Sequence, residues 1–96
     1  MNFVLTHKWY DKIESGEKSH EYRAYSKYWL NRTNKLRSGG TITFSRGYTK
    51  TKLYATFHRI NYISAERLKD TDPEAYEFMK DKHNSFMDIE FTLINK

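Results

Sequence analysis

Apolar and polar residues recur along this chain with two periods, close to four and two, and the switches between them divide it into elements. Asn2 to Leu5 (NFVL) reads as a short strand. Thr6 can cap a helix from His7 to Ser15 that sets Trp9 and Ile13, four apart, on one face, and Gly16 suits its left-handed end. From Ser19 to Ala24 the period is two, with Ser19, Glu21 and Arg23 on one side and His20, Tyr22 and Ala24 on the other. Ser26 can cap a second helix, Lys27 to Leu36, whose buried stripe is Trp29, Thr33 and Leu36.

Ser38-Gly39-Gly40 is a turn, and Thr41 to Phe44 is a strand with Ile42 and Phe44 inward. Arg46-Gly47-Tyr48 reads as loop. Lys52 to Ile60 is a longer strand that sets Leu53, Ala55 and Phe57 against Tyr54, Thr56 and His58. Ser64 or Asp72 starts helical sequence, Pro73 suits a first turn after Asp72, and Tyr76, Met79 and His83 share a side. Phe86 to Ile94 closes the chain as a strand, with Met87, Ile89, Phe91 and Leu93 facing opposite to Asp88, Glu90 and Thr92.

The predicted order is β-α-β-α-β-β-α-β, an α+β fold. Clean alternation gives each strand one wet face. Helices inserted between short strands favour a small, mixed, partly closed five-stranded barrel with flanking helices over a doubly wound sheet. Trp9, Ile13, Trp29, Ile42, Phe44, Leu53, Phe57, Ile89 and Phe91 are the expected core.

Size and composition narrow this picture. The 96 residues make one domain, 1–96. No cysteine is present, so disulfides and zinc-thiolate sites are excluded. No signal-peptide pattern and no apolar run near the roughly 20 residues of a membrane span occurs, and the expected location is cytoplasmic. His7, His20, His58 and His83 have no metal-ligand spacing, and neither a metal nor a cofactor is expected. The net charge of +5 favours a polyanionic partner, and the 17% of aromatic residues can build a core or stack on bases.

The candidate chemistry gathers in SGEKSHEYRAYSKYWLNR, residues 15–32. Glu21 and Arg23 emerge side by side from one strand face, with Lys18 in the preceding turn. A carboxylate between two cations stays ionised and can accept from a base edge while the cations meet phosphate; the same residues can form a plain surface ion pair. Tyr28 and Arg32, four apart, can make a stacking surface or simply pack. The loop from Ser45 to Lys52 holds Arg46, Tyr48 and Lys50 beside a glycine, which suits phosphate or an ordinary solvated hairpin.

The run W-Y-D-x-I-x-S-G-E-K from Trp9 to Lys18, then E-Y-R at Glu21 to Arg23 and Y-W-x-x-R at Tyr28 to Arg32, resembles the ASCH domain family. The resemblance spans roughly the first two thirds of the chain and is nearest to short, stand-alone bacterial and phage members. It implies a PUA-like open barrel that binds RNA or a nucleotide, in a cleft lined by Lys18, Glu21 and Arg23. One subgroup of the family consists of amide hydrolases acting on acetylcytidine. Lys18 resembles that subgroup's lysine, but Glu21 stands where it has a threonine nucleophile. Ser19 is a nearby hydroxyl, and Glu66 and Glu74 are the candidates for its acidic residue. A binding module, a small amide hydrolase and a protein-binding module thus remain distinct readings; catalysis would fall to Lys18, Ser19 and Glu21.

Overall fold

A computed structural model describes residues 1–81 and 84–94. His83, expected beside Tyr76 and Met79, lies outside the described residues. The elements are β1 (Asn2–Leu5), α1 (His7–Glu14), β2 (His20–Ala24), α2 (Lys27–Thr33), β3 (Thr41–Arg46), β4 (Lys52–Ser64), α3 (Ala65–Thr71), α4 (Pro73–Met79) and β5 (Ser85–Leu93). They form an α+β fold with a five-stranded mixed sheet, ordered β1-β3-β4-β5-β2. The β1–β3 pair is parallel; the other pairs are antiparallel.

The caps explain the helix starts. Thr6 and Ser26 accept from the amides of Trp9 and Trp29, at 3.5 and 3.4 Å. Ser64 and Asp72 both act as caps, accepting from Arg67 and Ala75, so the sequence after Ser64 makes two short helices instead of one. Helix α2 stops at Thr33, earlier than its apolar stripe suggests. The Leu36 amide turns back to the Thr33 carbonyl, and Thr33 Oγ1 donates to the Trp29 carbonyl at 2.7 Å.

Strand β4 runs past Ile60 to Ser64, and an irregularity between Phe57 and Arg59 shifts its register against β5. That shift falls inside the stretch read as strand and breaks its two-residue period before Ile60, so the pattern beyond is out of phase with the start.

The main core lies on one face of the sheet. Phe3, Tyr10, Ile13, Ile42, Phe44, Leu53, Phe57, Ile89 and Phe91 pack there, with Trp9 and Trp29 half-buried against them. Seven of the nine expected core residues are therefore buried, Trp9 and Trp29 are not, and Tyr10 takes the place of Trp9 as the inward aromatic of α1. The expectation of one wet face per strand fails for β2 and for the start of β5. Helices α3 and α4 cover that end of the opposite face through Leu68 and Ala75, over Tyr22, Ile63 and Phe86. None of the described helices is long and apolar enough to cross a membrane.

The sheet is open. Strands β1 and β2 are its edges, with no backbone pairing between them among the described residues. A side chain reaches across: Arg23 Nη2 on β2 donates to the Val4 carbonyl on β1 at 3.4 Å.

Candidate ligand cleft

The gap between the two edge strands is a cleft of about 500 Å³. Strand β1 supplies Asn2 and Val4 to its wall, β2 supplies Glu21 and Arg23, α2 supplies Tyr28, Trp29 and Arg32, and α4 supplies Phe78 and Met79. Lys18 reaches it from the turn before β2, and Tyr48 from the β3–β4 loop.

Glu21 and Arg23 share one sheet face because they pair with Ile89 and Met87 of β5, both core residues. Their pairing is nearly dry: 7% of the Glu21 side chain and 16% of the Arg23 side chain are exposed. Arg23 Nη1 donates to the Glu21 carboxylate and to the Tyr22 carbonyl. The guanidinium lies 5.4 Å from the Phe3 ring centre and 5.1 Å from that of Trp29. Burial pulls its pKa down to about 10, which leaves it charged at neutral pH. This is a fixed post in the cleft wall, with the ring faces ordering the guanidinium.

Lys18 is not the second cation on Glu21. Its Nζ pairs with Asp72 Oδ2 at 3.1 Å, and only 9% of its side chain is exposed. The ammonium sits over two rings, 5.0 Å from Trp9 and 4.5 Å from Tyr22. Burial lowers its pKa, and the Asp72 carboxylate opposes that shift. Strand geometry explains the separation, since Tyr22 projects from the face opposite to Glu21 and Lys18 stacks on that ring. The acidic partner of Lys18 is thus Asp72, and Glu74 binds Lys8 and Lys12 instead.

Six of the expected ligand-binding residues meet in this cleft: Lys18, Glu21, Arg23, Tyr28, Arg32 and Tyr48. Arg32 lies 5.4 Å from the Tyr28 and Trp29 rings, so the expected stacking surface forms at the cleft mouth. Arg46 and Lys50 are not part of the lining. Arg46 grips Asp11 of α1 with two bonds, at 3.0 and 3.2 Å. The loop amides expected to cradle phosphate are partly spent: Gly47 donates to the Leu5 carbonyl, Arg46 to Thr51, and Thr51 to the Thr49 hydroxyl. Ser19 is exposed and outside the lining, and the one Ser/Thr hydroxyl in the lining, Thr6, accepts from the Trp9 amide as a helix cap.

The sequence pattern did not reveal the contribution of α4. Phe78 packs edge-to-face on Trp9 at 6.0 Å, and together they form an aromatic wall beside Lys18. Exposed Phe78 on an otherwise polar helix face was the available signal.

No family model and no curated protein matches the chain. A crystal structure described as that of the hypothetical protein PH0355 superposes with a TM-score of 0.65, at 17% identity, covering 98% of this chain and 100% of that one. That similarity is one of fold.

Proposed function

We propose that the chain is a cytoplasmic, PUA-like binding module of ASCH type that takes RNA or a nucleotide in the cleft between its open sheet edges. The observation that carries this reading is the wall itself, where a buried Glu21–Arg23 pair and a buried Lys18 sit among aromatic rings. Charges this dry are costly to bury for stability alone, and their fixed geometry suits a flat ligand with both polar edges and negative charge. Lys18 and Arg32 would meet phosphate, and the second oxygen of Glu21 would accept from a base amine. The rings of Trp9, Trp29 and Phe78 would hold the base plane.

The amide-hydrolase alternative rests on Lys18 and its lowered pKa. Neither expected nucleophile serves that amine: Ser19 lies outside the cleft and Glu21 is bound to Arg23, while Thr71, which lines a second pocket with Lys18, donates its hydroxyl to the Arg67 carbonyl. The test pairs two assays on wild type, Lys18→Ala and Glu21→Gln: calorimetric binding of cytidine monophosphate, and acetate release from acetylcytidine. The module reading expects binding that both variants weaken, with acetate release at background. Turnover abolished by Lys18→Ala would establish the enzyme instead; unaltered binding in both variants would make the cluster structural.

A further inference from the structure

Charge is segregated along this chain. Between Tyr22 and Ala65 there are nine lysines and arginines and no aspartate or glutamate, while the remaining residues hold the other eight cations and all twelve acids. The exposed tyrosines follow the same division: Tyr25, Tyr28, Tyr48, Tyr54 and Tyr62 all fall in the acid-free stretch.

Part of this surface is continuous with the cleft mouth. Helix α2 turns Lys27, Tyr28, Arg32 and, just past its end, Lys35 to solvent. These positions are about three to five residues apart or adjacent, so they share one broad face. Lys27, Arg32 and Lys35 have no carboxylate partner among the described residues. Before the N-terminus of α2, Tyr25 meets Tyr62 of β4 edge-on at 5.1 Å, and both rings are about half exposed or more.

We infer that this face is a path for single-stranded RNA: one nucleotide occupies the cleft, the strand continues along α2, and a neighbouring base stacks on the Tyr25–Tyr62 pair. The inference rests on the nucleotide reading of the cleft and adds that the ligand is a polymer. Unpaired cations supply counterion release along a backbone, and interleaved rings supply sequence-tolerant stacking. A membrane surface would call for a broad apolar face opposite the cations, and among the described residues of α2 Leu30 is the one aliphatic side chain that is exposed.

The test compares cytidine monophosphate with an oligocytidylate of about eight nucleotides, within the usual range of single-strand site sizes. Proteins are wild type, Tyr25→Ala with Tyr62→Ala, and Lys27→Gln with Lys35→Gln; none of these four residues lies in the cleft lining. The oligomer should bind wild type at least ~10-fold tighter than the monomer, and the tyrosine variant should lose about that factor for the oligomer alone. The lysine variant should flatten the oligomer's log–log salt slope by about 1.4, at ~0.7 per phosphate, and leave the monomer unchanged. Equal binding of monomer and oligomer overturns the path while leaving the cleft reading intact. So does an oligomer affinity that neither variant moves, or preference for a duplex or an anionic vesicle. Failure of both monomer and oligomer to bind removes the cleft reading itself.

Discussion

The cleft and the Arg46–Lys52 hairpin loop look alike as sequence: each places cations beside a tyrosine and a glycine. Their structures differ in where the polar groups are spent. In the loop, Arg46 is committed to Asp11, and the amides of Arg46, Gly47 and Thr51 bond within the fold. Gly47 has φ +62 and sits where a Cβ would lie 3.3 Å from His7 Nε2, so its glycine serves a tight turn. In the cleft, charged groups are buried and concave, and apolar rings hold them in place. Composition alone does not separate a self-satisfied turn from a pre-organised site; burial and concavity do.

The largest expected effect that sharpens this contrast is on stability. Arg23→Met leaves the Glu21 carboxyl without its cation in a nearly dry wall, and urea unfolding should show a loss of about 3 kcal/mol. Adding Glu21→Gln should recover much of that loss, because the stranded carboxyl is gone. Lys50→Gln in the loop, an exposed residue, should change stability by no more than ~0.5 kcal/mol. A neutral Arg23→Met would remove the distinction between the two regions.

On binding, Lys18→Ala should weaken cytidine monophosphate by about 10-fold or more, the scale of a lost charge-assisted hydrogen bond. Lys50→Ala should stay within about 2-fold of wild type, as expected of a solvated charge. Equal losses from both would mean that the loop gives the site Lys50 as well as Tyr48.

Much of the fold was legible because local rules agree with the tertiary structure. Thr6, Ser26, Ser64 and Asp72 all cap as their types suggest, and the β5 alternation matches its faces. What was not legible depended on non-local geometry. The Phe57/Arg59 irregularity hid the end of β4, and coverage of Tyr22 and Phe86 by α3 and α4 buried a face that alternation marked as wet. For the site, Glu21–Arg23 follows from strand period alone. The pairing of Lys18 with Asp72 is 54 residues distant in sequence, and no local pattern encodes it.

A smaller effect concerns alkaline pH. Folding lowers the Lys18 pKa from its ordinary 10.5, so between the lowered value and 10.5 the unfolded chain binds more protons. The contribution of this group to stability therefore rises with pH across that window. Lys18→Gln should remove that rise, seen as a urea midpoint that drops relative to wild type as the pH climbs toward 10.5, on top of the fall that Tyr22 gives both proteins. An identical slope would show that Lys18 is solvated.

The smallest effect is expected at Glu74, an exposed carboxylate held down to about 2 by Lys12 and Lys8. Its contribution should be present above 4.5, its ordinary value, and fade as pH falls toward about 2. Wild type and Glu74→Gln should thus converge in stability at low pH, and high salt should narrow their difference at neutral pH.

The most direct measurement is amide and indole chemical-shift mapping of the wild-type protein titrated with cytidine monophosphate. The expected result is a saturable set of shifts at the Trp9 and Trp29 indoles, Glu21 to Arg23, and Phe78, with the loop from Thr49 to Thr51 unmoved. Shifts confined to that loop, or none at low salt, would contradict a nucleotide site between the sheet edges.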